Sequence, residues 1–554
     1  MTAHRIARTI RQVTARHVLG GLAIVVTCAL PIIAEAVVVD CSKGRKITTA
    51  VNGVKAGSAA TIVVKGACTE NVVINRDDIT LTTDGATPAS IQALDANQPA
   101  ILLDGAQRIV IDGNAGVGIN IGGGTYGVSA TRGSTLALSH CTLSGNTING
   151  LVSAYGSTVS IDGCTIGPNT GNGAVAANTA SLGVTNSTVT GNTGTGLLAV
   201  RSSYLRVGQS LSGTATVEPV TVSGNGTGVS ITESSSGTVV GGVIENSAGT
   251  NLFVGRGSSG QIGVGSNGLM GGVTVRNGSN HGISVEGANA TIVLSTITGH
   301  AEQGIVVTNA GSARIGILNG NAGYAGNTIS GNAGDGLRVS NGSSAFIGGN
   351  SISANGVFGI HAFQASAEVV GNNTVSNNAQ TGIFVNAGNV QLGSTAFGLP
   401  TGNLITGNGS GGPNGGGLFA FRHASILASD ATISNNTGAA VQAFEDGVIE
   451  LRGTTAVTVP AAGSTHGALM QFGSTLRVRD TASVVSATGD GIQASNMAAV
   501  NIRDGNTVQG SGAGSVGIRC FNTSPMTASA ATLTGNLVGV AGTTGPTLGC
   551  NLFP

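Results

Sequence analysis

The stretch TISGNAGDGLRVSNGSSAFIGGNSISANGVFGIHAF, residues 328–363, contains nearly the same phrase twice. TISGNAGDGLRV is followed, 23 residues later, by SISANGVFGIHA. Related phrases run from residue 125 almost to the end of the 554-residue chain, among them TLSGNTINGL, TVTGNTGTGL, TVSGNGTGV, TITGHAEQGI, TVSNNAQTGI and TISNNTGAAV. A period in the twenties predicts a solenoid, in which each repeat packs against its neighbours.

Each repeat is marked by a glycine that precedes an apolar residue, called here the marker glycine. The commonest interval between marker glycines is 23 residues, and longer intervals indicate a coil with an inserted loop. The marker glycines are Gly127, Gly150, Gly173, Gly196, Gly228, Gly282, Gly304, Gly336, Gly359, Gly382, Gly417, Gly467, Gly491 and Gly517.

Short alternating runs of apolar and polar residues separate these glycines, without the 3.6-residue period of a helix. Hydrophobic residues are 40% of the chain, charged residues only 9%, and Trp is absent. Small and β-branched apolar residues favour strands. Three short strands per repeat, stacked coil on coil, predict an all-β parallel β-helix. The residues expected to face its interior are Leu337, Val339, Ile360, Ala362, Ile383 and Val385.

An asparagine recurs in the phrase at a fixed distance before the marker glycine. Asparagine tolerates left-handed backbone and bonds to peptide groups at turns. Stacked side chains of this kind could form either a binding row or an internal ladder, and the sequence favours the ladder. The residues are Asn146, Asn169, Asn192, Asn225, Asn332, Asn355, Asn378 and Asn408.

These coils, and the opening ITTAVNGVKAGSAATIVVKGACTENVVINRDDITL, resemble the secreted right-handed parallel β-helix proteins of the pectin-lyase-like superfamily. The resemblance covers roughly residues 38–554. It implies one solenoid of roughly 20 coils, with a capping helix at residues 47–55, the cap and first coils at 37–126, and repeats with inserted loops at 127–554. It says little about function, because the superfamily holds lyases, hydrolases, epimerases, esterases and non-catalytic surface proteins.

The first 36 residues differ from the rest. Four arginines and no acid precede an apolar run, and Ala34-Glu35-Ala36 follows it. This pattern predicts a signal peptide cleaved after Ala36, with a retained membrane anchor as the alternative. The mature chain would then carry 24 − 4 = 20 basic and 24 − 1 = 23 acidic residues. A secreted, periplasmic or cell-surface protein is expected, with no transmembrane segment after cleavage and no basic footprint for nucleic acid.

Six cysteines remain in the expected mature chain. An even number in an exported protein indicates disulfides, and six cysteines allow 15 connectivities. Proximity in the sequence suggests the pairs Cys41–Cys68, Cys141–Cys164 and Cys520–Cys550. The spacing matches no zinc or redox motif.

Charged residues stack near the C-terminal end. Aligning IELRG, LRVRD and VNIRD places Arg452, Arg479 and Arg503 in one column, with Asp480 beside Asp504. Guanidinium groups match carboxylate geometry and would suit an anionic sugar. Two aspartates are few for Ca²⁺, which takes six to eight oxygens. The alternative, a salt-bridge ladder, is favoured.

Aromatic residues concentrate nearby in a chain with only 12 phenylalanines. Aromatic faces beside Arg, His and Glu suit a sugar-binding patch, but packing beneath the glycine-rich segment at residues 392–417 is the favoured alternative. The candidate ligand-binding residues are Phe384, Phe419, Phe421, Arg422, His423, Phe444, Glu445, Asp446 and Arg452.

Loops inserted after Val207, Ile315 and Leu392 could wall a groove if these residues end equivalent strands. No catalytic set of polygalacturonases, alginate epimerases or serine hydrolases occurs, so the superfamily's catalytic residues cannot be carried over. The sequence therefore predicts a non-catalytic exported scaffold without a cofactor, and the candidate partner is polysaccharide. The alternative is a polysaccharide lyase, hydrolase or epimerase with an unrecognised site, for which Arg479, Arg503, Asp480 and Asp504 are the catalytic candidates and Ca²⁺ a conceivable cofactor.

Overall fold

Three parallel β-sheets wind around one narrow apolar core in the computed structural model. The structure describes residues 36–210, 215–317, 325–393, 402–409, 415–459, 466–486, 489–503, 506–510, 515–521, 525–528 and 551–553. The chain forms a right-handed β-helix of about 19 turns, which confirms the predicted fold and approximate number of coils. Each strand pairs in parallel with its counterparts in the coils above and below, as Leu337–Ser340 pairs with Ile360–Phe363.

Sheet 1 contains the strands that include or directly follow the marker glycines. Its strands are Val72–Ile74, Ile101–Asp104, Tyr126–Thr131, Asn149–Ala154, Asn172–Ala177, Thr195–Val200, Thr227–Ile231, Leu252–Gly255, Ile283–Glu286, Ile305–Thr308, Leu337–Ser340, Ile360–Phe363, Ile383–Asn386, Leu418–Phe421, Val441–Phe444, His466–Gln471, Asp490–Ser495 and Ile518–Cys520.

Sheet 2 contains the next strand of each coil. Its strands are Ala36–Asp40, Ala60–Lys65, Ile79–Thr82, Ile109–Asp112, Thr135–Ser139, Thr158–Asp162, Ser181–Thr185, Tyr204–Val207, Ser236–Val239, Ser259–Ile262, Asn289–Ile292, Ser312–Ile315, Ser344–Gly348, Ser366–Gly371, Asn389–Leu392, Ser425–Ser429, Val448–Arg452, Thr475–Val478, Ala499–Ile502, Pro525–Ala528 and Asn551–Phe553.

Sheet 3 contains the last and shortest strand of each coil. Its strands are Ala67–Thr69, Ala89–Gln92, Ile119–Gly122, Cys141–Ser144, Thr165–Ile166, Thr188–Thr190, Thr221–Ser223, Val243–Glu245, Thr274–Arg276, Thr296–Thr298, Thr328–Ser330, Ser351–Ser353, Thr374–Ser376, Asn403–Thr406, Ala431–Ser434, Ala456–Val459, Ser483–Ser486 and Thr507–Gln509.

The N-terminal end of the core is closed by a short helix, α1, at Ile47–Gly53. Buried Glu70 from the first coil holds it, because its carboxylate accepts from the backbone N–H of Ile47 (2.6 Å) and of Thr48 (3.2 Å). These are two of the donors that a helix N-terminus leaves unpaired. The predicted capping helix is therefore present, ending two residues earlier than expected. Two 3-10 turns, Cys41–Lys43 and Ser266–Gly268, complete the described helices.

One of the predicted disulfides is confirmed and another is wrong. Cys41 and Cys68 form the predicted disulfide beside α1, whereas Cys141 and Cys164 are both free and buried, so that predicted bridge is wrong. The two free residues stack in adjacent coils, and each thiol donates to a carbonyl two residues earlier, that of Ser139 or Asp162. Each sulfur also lies near a carbonyl oxygen of the preceding coil, 3.9 Å from that of Ile111 for Cys141 and 3.7 Å from that of Leu138 for Cys164.

Other predictions fall partly outside the described residues. Cys520 is disulfide-bonded, but its predicted partner Cys550 is not among the residues the structure describes, and neither is the predicted leader before Ala36. Within the described ranges, no helix is long and apolar enough to cross a membrane.

The asparagine ladder is internal, as predicted. All eight predicted asparagines are buried, and successive side chains bond to one another, with the Nδ2 of Asn332 donating to Asn355 and that of Asn355 to Asn378, each at 2.9 Å. Asn436 continues the ladder beyond Asn408. The ladder satisfies amides and turn carbonyls that have no access to water, so its role is structural.

A histidine takes the place of asparagine in one coil. His300 is buried, and its Nδ1 accepts from the backbone N–H of Gly278 (3.1 Å) while its Nε2 lies 3.1 Å from the carbonyl oxygen of Val275. This pattern requires a neutral imidazole with its proton on Nε2. Burial, more than the nearby charge of His281, lowers the pKa of His300 from 6.5 to about 4.

We expect stability to fall in acid because of His300. The unfolded chain binds a proton below about pH 6.5 and the folded chain resists it until about pH 4. Stability attributable to this residue is therefore intact above the unfolded pKa and is lost as the pH falls between these values, in total by about 3 kcal/mol. His300→Asn, which restores the ladder residue, should remove this loss. The check is the guanidinium unfolding midpoint of both proteins near neutral pH and near the folded pKa; equal acid sensitivity would contradict the assignment.

Candidate functional site

A cluster of rings lies on the outer face of sheet 1. We call it the aromatic face and define it as Phe358, His361, Phe363, Phe384, Phe419, Phe421 and Phe444. Phe384 stacks on Phe358 at a centroid distance of 4.5 Å and lies 5.2 Å from Phe419, which in turn is 5.1 Å from Phe444. Register explains the cluster, because His361, Phe384 and Phe419 occupy the same position in successive strands. The rings thus form one surface across four coils.

The four phenylalanines predicted from the sequence all belong to this cluster. Phe419 is buried, with 5% of its surface exposed, whereas Phe384, Phe421 and Phe444 are half-buried and keep part of each ring in solvent. Phe419 therefore packs as an interior residue would, while the others can contact a ligand. Phe358, His361 and Phe363 were missed, although their places in the aligned repeats could have revealed them.

Charged residues line one edge of the aromatic face at the turn after sheet 1. Arg422 places its Cζ 4.7 Å from the ring centre of Phe421, and its Nε lies 3.2 Å from Glu445 Oε2. His423 Nδ1 lies 3.6 Å from Asp446 Oδ2. The predicted grouping of these four residues is thus observed. All are exposed and adopt left-handed backbone, with φ near +50° to +60°.

A buried carboxylate lies at the other edge. Asp335 accepts from the backbone N–H of Phe358 at 3.2 Å, and its other oxygen lies 3.0 Å from Nδ1 of His361. Among the described residues, the Nε2 of His361 is buried without a hydrogen-bond partner. Only the GDG before the strand of sheet 1 marks Asp335 in the sequence, and no pattern links it to His361, since the two residues belong to different coils.

The same arrangement recurs near the C-terminal end of sheet 1. Asp490, also in a GDG, accepts from the backbone N–H of Val516 at 3.0 Å and from Nε of Arg519 at 2.7 Å. The carboxylate raises the pKa of Arg519, whereas burial lowers the pKa of His466, whose Nδ1 lies 3.8 Å from Asp490. An aspartate before the marker glycine thus binds the next coil twice, which identifies a structural role that the Asp335 pair shares.

The predicted arginine column contains an acid that the sequence alignment missed. The pairing of sheet 2 aligns Leu451, Val478 and Ile502, so the residues that directly follow them, Arg452, Arg479 and Arg503, fall in one column as expected. Glu450 lies among the guanidiniums, 3.1 Å from Nε of Arg479 and 3.5 Å from Nη1 of Arg477, and it also contacts Arg452. This geometry is that of a salt-bridge ladder.

Of the predicted aspartate pair, only Asp480 lies within the described residues. Asp480 accepts from the backbone N–H of Gly453 at 3.1 Å, and Asp504 is outside the described residues. Across the part of the chain that the structure describes, no group of three or more His, Cys, Asp or Glu side chains is placed to hold a metal ion.

The inserted loops begin at equivalent positions in sheet 2. Val207, Ile315 and Leu392 share one register in sheet 2, and a fourth insertion after Ile262 begins there too. Two loops contact each other, since Ser266 N–H donates to Gln209 Oε1 at 3.0 Å. A shallow cavity of about 330 Å³ on the outer face of sheet 2 is lined by Gln261, Thr291, Arg314 and Phe346 among others.

Comparison with known proteins agrees with this architecture. The family described as "right handed beta helix region" matches residues 35–211 and 281–456. No curated protein matches the chain in sequence.

Several solved structures are similar at low identity. The Vag8–C1 inhibitor complex is matched at 13% identity over 91% of this chain and 98% of that one, with a TM-score of 0.38. A mutant of the periplasmic alginate epimerase AlgG is matched at 13% identity over 63% of this chain and 82% of that one, with a TM-score of 0.32. The mannuronan C-5 epimerase AlgE4 A-module of Azotobacter vinelandii is matched at 13% identity over 62% of this chain and 88% of that one, with a TM-score of 0.29.

Proposed function

This chain belongs to the family of right-handed β-helix proteins, and from that premise we propose that it is an exported, non-catalytic scaffold that holds polysaccharide on its aromatic face. The Cys41–Cys68 disulfide supports export, because such bonds persist in oxidising compartments. The predicted leader supports it independently.

The partly exposed rings on adjacent coils carry the binding proposal. Phe384 lies 6.4 Å from Phe421, and both rings keep part of their surface in solvent. Sugar rings present apolar C–H faces that pack on aromatic rings, and their hydroxyls bond to polar groups at the rim. Here Arg422 and Glu445 supply a donor and an acceptor beside Phe421. Because coils repeat at about 4.8 Å, the rings offer contacts to more than one residue of an extended glycan.

A scaffold role is supported by how the charges are used. Asp490 and Glu450 each bind basic side chains from neighbouring positions in the stack. Such pairs hold coils together. An enzyme groove, in contrast, normally collects titratable groups that converge on a reacting atom.

A second candidate function is a polysaccharide-modifying enzyme, which one observation favours. A carboxylate that orients an imidazole is the arrangement from which histidine acts as a general base. Asp335 and His361 have this geometry, and the Nε2 of His361 is buried among the rings. The shared arrangement at Asp490 and Arg519 supports the structural role instead.

We expect mature protein, beginning at Val37, to bind at least one member of a panel of neutral and acidic polysaccharides without altering it. Binding would be measured by affinity electrophoresis, and each mixture would be assayed for reducing ends and for the ultraviolet absorbance of unsaturated sugars. Product from any glycan would establish the enzyme candidate. If the protein neither bound nor altered any polysaccharide of the panel, that result would contradict the proposed function and leave a purely structural rod.

A further inference from the structure

The charge balance of the aromatic face bears on which polysaccharide it would hold. Two guanidiniums touch its rings: Arg422 on Phe421, and Arg338, whose Cζ lies 5.9 Å from the centre of the Phe363 ring. Three carboxylates lie at the edges of the face: Asp335 is hydrogen-bonded to His361, and Glu445 and Asp446 pair with Arg422 and His423. The formal charge of these five groups sums to 2 − 3 = −1.

Most basic side chains here already have a carboxylate beside them. Nε of Arg422 lies 3.2 Å from Glu445, and the imidazole of His423 lies 3.6 Å from Asp446. His361 is paired with Asp335 at 3.0 Å. A carboxylate arriving on a ligand would have to displace one of these partners, and it would meet like charges at both edges of the rings.

We propose that the aromatic face selects neutral polysaccharide over polyuronate. The inference rests on the proposed function and names its ligand class. Packing of sugar C–H faces on the rings is the same for a hexose and its uronate. The carboxylate that replaces the hydroxymethyl group at carbon 6 adds only repulsion and desolvation, and specificity arises from such an unfavourable element.

Matched oligosaccharides test this directly. A β-1,4-linked mannose hexamer and a mannuronate hexamer share their linkage and ring stereochemistry and differ at carbon 6; hexamers of glucose and glucuronate, and of galactose and galacturonate, provide further pairs. Titration calorimetry on the mature protein should show neutral members binding about tenfold or more tightly than their acidic partners. An acidic hexamer that binds as tightly as its neutral partner, or more tightly, would overturn the inference and leave the proposed function intact. Failure of every hexamer and every panel polysaccharide to bind would overturn both.

A double variant tests the cause of the selectivity. Glu445→Gln with Asp446→Asn removes two bordering carboxylates and leaves Arg422 and His423 unopposed. The ratio of uronate to neutral affinity should rise by roughly tenfold at low salt, and the rise should shrink at high salt. Glu233→Gln is the matched control, because Glu233 occupies the same turn position in another coil and pairs with Arg201 and Arg256; it should leave the ratio unchanged. An unchanged ratio in the double variant would contradict the electrostatic account.

Discussion

Replacing the marker glycine Gly359 with alanine is expected to lower the free energy of unfolding by about 3 kcal/mol. A Cβ at this position would lie 2.6 Å from the carbonyl oxygen of Gly382 and 2.8 Å from Nδ2 of Asn378, and it would also meet the side chain of Val375. The carbonyl oxygen of Gly382 accepts from the backbone N–H of Ile360, and Nδ2 of Asn378 donates to Asn408 in the ladder, so neither can move away without breaking a hydrogen bond.

The unfolding midpoint in guanidinium measures this effect. Gly53→Ala is the control, because Gly53 is in α1 and a Cβ there meets nothing within 4 Å. That variant should be neutral or slightly stabilising. Equal midpoints for the two variants would show that the marker glycine is not required by the close approach of adjacent coils.

Replacing Asn355 with leucine should cost about 3 to 5 kcal/mol, as several buried groups would lose their partners. The Oδ1 of Asn355 accepts from both the backbone N–H (3.2 Å) and the Nδ2 (2.9 Å) of Asn332, and its Nδ2 donates to Asn378 (2.9 Å) and to the carbonyl of Ile329 (3.3 Å). Leucine has the same branching of side-chain heavy atoms as asparagine but a larger volume, so the loss combines the missing hydrogen bonds with overpacking.

The ladder prediction can be checked by unfolding together with hydrogen exchange. Exchange should accelerate most in the coils that contain Asn332 and Asn378, since coils in a solenoid contact only their neighbours. Asn52→Leu, at an exposed position of α1, controls for the change of residue type. A loss no greater than that of the control would mean that the ladder contributes little to stability.

These two residues explain why the fold could be predicted from the repeated phrase. The marker glycine of one coil lies against the asparagine of the next. A Cβ added to Gly336 would meet Asn355, and one added to Gly359 would meet Asn378. The spacing in the sequence therefore records a physical contact between coils. Because the register is fixed, the interior positions, the column of arginines and the aromatic cluster could be predicted as well.

Contacts between side chains in different columns of the aligned coils could not be predicted in the same way. Glu450 lies two residues before Arg452 on the same face of its strand, but only the folded structure shows which guanidiniums it contacts. Asp335 and His361 are separated by one coil and three residues, so no column contains both. For Cys141 and Cys164, the spacing of one coil suggested a disulfide, but the direction of the thiols depends on backbone carbonyls that sequence does not reveal.

The central claim, that the aromatic face holds polysaccharide, is tested most directly by titrating a bound glycan from the panel into native protein and two variants. Phe421→Ala removes a half-buried ring of the face, whereas Phe346→Ala removes a half-buried ring on the outer face of sheet 2. Phe421→Ala should weaken binding about tenfold or more while Phe346→Ala should not, with both variants retaining the native circular dichroism spectrum. Unchanged affinity in Phe421→Ala, with the fold retained, would contradict binding of polysaccharide at the aromatic face.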